Sequence, residues 1–277
     1  IGGGVAPAMN GVRHFLLAVR FSTRVPVTGK LADWVGFSPQ MLRAAAAHLP
    51  AIGWIAGGVA AAVFVAVGAG LPGVAGALVA AVLSTVATVM LTGAFHEDGL
   101  ADVADGLGGS AGRERALEIM KDSRIGAFGA VALVLALGLK FGLLAALAAR
   151  GLDVAAVSIV GAHVLSRLAP LFLIRWLPYI GDEGASKAKP LADAIGGGAL
   201  LVGVLYALPA IALLLLAHPP LQGVASLLAC LLGALYMAAL LWRRLPRLER
   251  SGTDMSYPAL IASMLGLLRR HRLVLVR

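Results

Sequence analysis

Cysteine is almost absent from this chain of 277 residues. Cys230 stands alone, so no intrachain disulfide and no Cys-X-X-Cys metal or redox site can form. It sits in an apolar run and reads as a small core hydrophobe. Charge is scarce as well, at 13% of residues, and aromatics make up 6%. Acids are rarest: 14 Asp and Glu against 23 Lys and Arg, for a net charge of +9. With 60% hydrophobic residues and a mean hydropathy of +0.90, the composition excludes an ordinary soluble domain. Familiar motifs are missing too. There is no P-loop, no Rossmann glycine pattern and no nucleophile elbow, which argues against covalent catalysis by Cys or an elbow Ser. No basic patch is interleaved with aromatics, so nucleic acid is not expected as a partner. The first 45 residues show no apolar core before a small-residue cleavage site, so no signal peptide is expected.

Long apolar runs are what the chain has in abundance. A bilayer core of about 30 Å takes about 20 helical residues. Six runs qualify: Leu49–Leu71, Pro72–Phe95, Ile125–Ala149, Val154–Leu177, Ile195–Ala217 and Leu221–Trp242. Alanine, glycine and leucine dominate them, and small residues allow helices to approach closely in lipid. The fold class expected is all-α: a polytopic membrane helix bundle of about six transmembrane helices. Ala259–Leu268 is a candidate short seventh. Residues 10–48 form an amino-terminal region that begins with an interfacial helix, Asn10–Val25, too charged to span. Pro26 ends that helix, and Thr28–Pro39 reads as a polar loop. The whole of 1–277 reads as one integral membrane domain, with a bundle at 49–242 and a basic tail at 243–277.

The Lys and Arg residues alternate in side. Five precede the first span, four lie in the loop after the second, three flank the loop after the fourth, and eight follow the sixth. The opposite loops hold only Arg150. This positive-inside pattern puts both ends and the loop after the second span in the cytoplasm. Lys140 and Arg167 are left over, inside predicted spans, where charges are functional candidates by default. Arg167 is expected to face inward and meet a carboxylate or a phosphate. Lys140 finds no explanation in the sequence.

Half of the scarce acids sit in one place. Seven of the 14 fall between Glu97 and Asp122. Asp98, Asp102 and Asp105 stand at i, i+4 and i+7, which puts them on one face of a helix. Like charges so stacked repel, and a bound cation or proton sharing offsets that. Hard oxygen ligands suit Mg²⁺ or Mn²⁺, which commonly take one or two protein carboxylates and leave positions for phosphate. Gly99, Gly106, Gly108 and Gly109 interleave the acids, and glycine there leaves room for a phosphate near the backbone. A solvated acidic turn between two spans is the competing account, but it needs neither the shared face nor the glycines. Since the second span ends at this motif, the carboxylates are expected at the membrane interface. Ser110–Ser123 reads as a short amphipathic helix. Lys121 and Arg124 follow at the mouth of the third span, where Arg124 is the natural phosphate partner. Its competing reading is a topology anchor. The polar loop Tyr179–Pro190 reads as a lid or a plain connector. These features point to phosphoryl chemistry at a membrane surface.

The stretch HEDGLADVADGLGG, followed by RALEIMKDSRIGAFG, resembles the cobalamin synthase family. Phe21-Ser22-Thr23-Arg24-Val25-Pro26 is similar to that family's amino-terminal F-x-T-R-x-P element, and Pro50 to Gly58 is also similar. Ser166-Arg167 resembles its Ser-Arg pair, and Asp182-Glu183-Gly184 the loop that follows. The resemblance covers roughly residues 12–245. It implies a Mg²⁺-dependent inner-membrane enzyme that joins adenosylcobinamide-GDP to α-ribazole or its 5′-phosphate and releases GMP at the cytoplasmic face. Membrane lipid would surround it, with other late-pathway enzymes or a second copy as candidate partners. By position, Asp98, Asp102 and Asp105 match the family's D-G-x-x-D-x-x-D-G acids, His96 and Glu97 its leading H-E, and Arg124 its S-R-x-G. The implied metal set is Glu97, Asp98, Asp102 and Asp105. The implied catalytic set is His96, Asp98 and Asp105, with Asp105 as the general base, a choice that spacing leaves open. Gly99, Gly106, Lys121, Arg124 and Arg167 make up the implied substrate set.

One departure stands out. The family's ending carries a glycine-rich T-G-D element and a later glutamate, whereas here the region reads Arg250 to Tyr257 as RSGTDMSY, with no glutamate from Ala259 onward. Ser251–Asp254 therefore takes no site role. Two other readings compete. A CDP-alcohol phosphotransferase shares the acidic logic but carries an Ala-Arg after D-G-x-x and later acids that are missing here. A cation transporter would place its site near the midplane between repeated halves, and the sequence shows no repeat.

Overall fold

The computed structural model describes residues 7–109, 112–176 and 195–244. These residues belong to one compact unit within 1–245, and helices account for its regular structure. Most of the basic tail at 243–277, the candidate seventh span Ala259–Leu268 and the loop at Tyr179–Pro190 fall outside the described residues.

Six helices are long and apolar enough to cross a membrane. They are α4 (Leu49–Gly70), α5 (Val74–Thr92), α8 (Ala127–Ala148), α9 (Leu152–Trp176), α10 (Gly197–Ala217) and α11 (Pro220–Arg244). Each falls within a few residues of its expected run. Between them lie α6 (Phe95–Gly109) and α7 (Arg113–Ile119). Ahead of α4 come α1 (Pro7–Ser22), α2 (Gly29–Val35), α3 (Pro39–Ala45) and a 3₁₀ turn at Ala46–His48.

Two expectations change. Thr28–Pro39 is not simply a loop, because Gly29–Val35 forms a helical turn pair whose Val35 is buried against the α1 core. Helix α1 stops at Ser22, ahead of Pro26. Thr23 turns its hydroxyl back to donate to the Val19 carbonyl at 2.8 Å, and the Arg24 amide donates to Leu91 at 2.7 Å. The chain is thus pulled off the helix and onto the end of α5.

The bundle packs on small residues. At Gly53 of α4 a Cβ would stand 2.6 Å from Val164 Cα, and at Gly57 it would stand 2.8 Å from Val160 Cα. Only glycine lets α4 and α9 run backbone to backbone here, the close approach that packing in lipid favours. Phe64, Ala80, Leu144 and Ala155 extend this seam into α5 and α8. On the other flank, Trp54 donates to the Tyr206 carbonyl at 2.9 Å and ties α4 to α10. At the far end Arg150, His218 and Ser158 are chained by contacts of 3.3 and 2.9 Å. The α11 span keeps none of its apolar window buried, as expected of a face that meets lipid.

A carboxylate helix laid along the third span

Helix α6 begins at a sharp joint. Gly93 (φ 71°) and Ala94 (φ 63°) both take left-handed backbone, and both amides donate to the Val89 carbonyl. Alanine is rarely found there, so the surrounding structure holds the joint in place. The amino-terminal element supplies part of that hold. Phe21 meets Phe95 edge-on at 6.1 Å. The Arg24 guanidinium lies on Gly93 so closely that a Cβ there would stand 2.6 Å from its Nε. Arg24 thus reaches the start of the acidic helix, a placement that no spacing rule links to it.

Past the joint, α6 runs antiparallel to α8. Gly126 and Gly129 donate their amides to the two oxygens of Asp105, at 2.7 and 2.8 Å. Helix α8 starts at Gly126 with no side-chain cap of its own. Asp105 therefore caps it from α6, satisfying two of the four amide donors a helix start leaves open and placing a negative charge at the positive end of the dipole. Gly126 and Gly129 are glycine because a Cβ on either would run into the Asp105 carboxylate. One turn beyond Asp105, Gly108 and Gly109 pack on the Phe128 ring. At the other end Glu97 acts electrostatically on Lys140, eleven residues further along α8, or about 16 Å at 1.5 Å per residue. The acids lie on a helix rather than on a turn. They line the first half of a helix about 33 Å long that is read as spanning the bilayer.

The sequence-predicted residues therefore divide. Asp98, Asp102 and Asp105 share one stretch of α6. The Asp102 carboxyl is held above the usual carboxylate range by burial, then by the Asp98 and Asp105 charges. Glu97 has a buried Oε2 with no hydrogen-bond partner among the described residues, and Lys140 and Arg167 lie within its electrostatic reach. Arg167 is buried, at 4% exposed, and its Nη1 donates to the His163 carbonyl at 3.0 Å and meets His163 Nδ1 at 3.1 Å. Arg167 thus faces inward, as expected from sequence, and rests on His163. His96 keeps accessible area, yet crowding by protein and then Arg167 bring its imidazolium pKa down to about 4.

Arg124 stands apart from this group. It forks onto Asp122 at 2.6 to 3.1 Å on an exposed turn ahead of α8, and Asp122 is pulled down to about 2 by that pair. Lys121 is exposed on the same turn. Among the four glycines of α6, only Gly99 faces open space, while Gly106 faces Met120 and the Ala116 carbonyl. The packing of Gly106, Gly108 and Gly109 against α7, Met120 and Phe128 gives those glycines a reason that needs no phosphate. Among the described residues, no three His, Cys, Asp or Glu side chains converge closely enough to cage a metal. A cavity of about 300 Å³ lies at the other end of the bundle, walled by Gly68, Leu71, Val74, Ala77 and Leu152. It is apolar and carries no chemistry.

Fold and site together define a multi-pass membrane protein whose carboxylate helix packs along its own third span. The family model described as cobalamin-5-phosphate synthase matches residues 14–248. An adenosylcobinamide-GDP ribazoletransferase from Polaromonas sp. (strain JS666) is 52% identical over 256 residues, covering 86% of this chain and 90% of that protein. The protein of the same name from Polaromonas naphthalenivorans is 53% identical over 247 residues, covering 83% and 86%. The one from Shewanella amazonensis is 46% identical over 193 residues, covering 70% and 71%. No solved structure matches. The chain belongs to the cobalamin-5-phosphate synthase family, a family of transferases in cobalamin synthesis.

Proposed function

We propose that the chain joins adenosylcobinamide-GDP to α-ribazole or its 5′-phosphate and releases GMP, in the bacterial inner membrane, with the site open to the cytoplasm. The observation that carries this is the acidic helix itself: carboxylates on one face, packed along a span, with Arg167 and Lys140 behind them. In the reaction a ribazole hydroxyl oxygen bonds to the cobinamide-side phosphorus. The bond from that phosphorus to the bridging oxygen breaks, and GMP leaves with the electron pair.

The donor set fits Mg²⁺ held by one or two carboxylates. The oxygens are hard, and Asp102 already registers the charge of both its neighbours. Among the described residues no three ligands converge, so water and substrate phosphate would complete the shell, as Mg²⁺ commonly allows. Asp98 would hold it, with Glu97 Oε2 and the remaining lone pairs of Asp105 in support, and Asp102 beside it stays unligated. When bound, the ion would neutralise charge building on the pyrophosphate.

The chain's own residues do the rest. Both Asp105 oxygens are committed to amides of α8, so we place Asp105 as the residue that fixes α6 against the span. Asp102 takes the base role instead. Its raised pKa suits a group that must accept the hydroxyl proton near neutral pH. His96, kept neutral, is placed to hydrogen-bond the substrate rather than to add charge. Arg167 faces the phosphates from inside. Arg124 exchanges its exposed partner Asp122 for an incoming phosphate, an exchange made easy because surface ion pairs contribute little. Gly99 leaves open space on the substrate side.

The direct test is reconstitution. Purified protein in liposomes, given adenosylcobinamide-GDP, α-ribazole and Mg²⁺, releases GMP in proportion to cobamide formed. Cation movement across sealed vesicles without GMP would support a transporter and end this reading.

A further inference from the structure

The guanidinium of Arg24 is held in place and committed to no acceptor. Its backbone is pinned to the last turn of α5, where the Arg24 amide donates to the Leu91 carbonyl at 2.7 Å. Buried Thr23 ahead of it donates its hydroxyl to the Val19 carbonyl, and the same hydroxyl accepts the Val25 amide at 3.2 Å, so the chain is set on both sides. The side chain then lies along Gly93, where a Cβ would stand 2.6 Å from Nε, 3.3 Å from Cζ and 3.4 Å from Nη2. Glycine is required there twice, for the left-handed turn at φ 71° and for the room. Yet the side chain is exposed, and no acceptor among the described residues takes a hydrogen bond from its fork. Other arginines around α6 have partners. Arg124 forks onto Asp122, and Arg167 donates Nη1 to the His163 carbonyl. An arginine that only marks the cytoplasmic side needs no such mount, because a free stem in water serves as well. A fork set in advance loses less freedom when it grips a ligand.

We propose that Arg24 is a substrate-binding residue of the transferase, whose fork takes two phosphate oxygens of the nucleotide-bearing substrate at the start of α6. This rests on the transferase reading and adds to its site a residue from the amino-terminal region. A planar guanidinium matches paired phosphate oxygens, and the place suits that ligand. Asp98 stands one turn past the joint, its amide donating to the Ala94 carbonyl at 2.8 Å. Gly99 next to it meets nothing within 4 Å. A pyrophosphate lying across the first turn of α6 would have the arginine at one end and the metal-holding acid at the other. Clipping the joint does not call for a charge, since Phe21 already buttresses Phe95 edge-on and the contact with Gly93 is one of packing.

The test uses the full chain in phosphatidylcholine nanodiscs, comparing wild type with Arg24→Met and Arg24→Lys. Methionine keeps a long stem over Gly93 without the charge. Arg24→Met is expected to raise KM for adenosylcobinamide-GDP at least about tenfold and leave KM for α-ribazole unchanged. Arg24→Lys should recover part of the difference, because an ammonium restores the charge and not the fork. Inorganic pyrophosphate with Mg²⁺ should inhibit Arg24→Met far less than wild type. Arg20→Met, exposed on α1 four residues earlier, should keep both KM values. Unchanged KM in Arg24→Met, equal rises for both substrates, or the same rise in Arg20→Met overturns the proposal. So does failure of both Arg24 variants to fold, which would make the arginine a clip for the joint. An anionic lipid offers the same oxygens, so the assay is repeated with phosphatidylglycerol. An Arg24 effect confined to those discs would assign the fork to a headgroup and overturn the proposal. If wild type binds pyrophosphate by calorimetry but turns nothing over, the transferase reading fails. Loss of that binding in Arg24→Met would still uphold the phosphate site, and its persistence would overturn it.

Discussion

Substituting Gly129 by alanine tests the joint between α6 and α8 directly. The added methyl would occupy the place of an Asp105 oxygen and also meet the Ala101 carbonyl at 3.0 Å. Backbone cannot yield there, so Asp105 must swing away and give up the Gly129 amide, with the Gly126 bond at risk. Hydrogen bonds to a charged group contribute about 1.5–3 kcal/mol each. The Gly126 bond is exposed and belongs at the low end. Alanine in a helix recovers about 1 kcal/mol of propensity. The net loss is therefore roughly 0.5–3.5 kcal/mol. Gly138, nine residues along the same helix, meets nothing within 4 Å, so Gly138→Ala keeps the propensity gain and suffers no clash. Unfolding of the two variants in mixed micelles with increasing sodium dodecyl sulfate, followed by helical circular dichroism, compares them in one host. Gly129→Ala should unfold earlier than wild type and Gly138→Ala no earlier. Equal midpoints for the two would falsify the capping role of Asp105.

Three more outcomes follow from the same geometry. Asp98→Asn should remain folded, since Asp98 is exposed, yet lose transfer at limiting Mg²⁺, and wild-type turnover there removes Asp98 from the ligand set. Because Asp102 holds its proton to a higher pH than an ordinary carboxyl, transfer should fall as pH drops through a limb above the normal carboxylate range. In Asp102→Asn the residual rate should show no such limb, and persistence of the limb moves the base elsewhere. A reporter fused after Gly109 should read cytoplasm and one after Leu71 the opposite side, and the reverse result would invert the topology.

The spans were legible because lipid imposes one rule, about 20 apolar residues with every backbone group satisfied within the helix. The boundaries of α4 and α8 follow from that rule almost residue for residue. The amino-terminal region was less so. Val35 is apolar in a polar stretch, and only its burial against Leu17 and Leu42 turns Gly29–Val35 into helix. Thr23 ends α1 early through a hydroxyl bond that Ser/Thr chemistry permits but no periodicity announces. The one-face spacing of Asp98, Asp102 and Asp105 held because α6 is a helix. What spacing omits is the neighbour. Periodicity says which residues share a face, and nothing about what that face meets.

That omission hides what the acidic motif packs against. Hydropathy ends the second span where carboxylates begin, and so sets α6 at the surface. The structure pairs Asp105 with glycine amides 21 and 24 residues away, across the intervening α7. Two glycines three apart at the mouth of a span, Gly126 and Gly129, were the available signal, since a helix start with no capping side chain needs an acceptor from elsewhere. Once Asp105 fills that need, α6 can only continue along α8. The carboxylate at the carboxyl-terminal end of α6 fixes the helix, and the acids ahead of it are left for the chemistry.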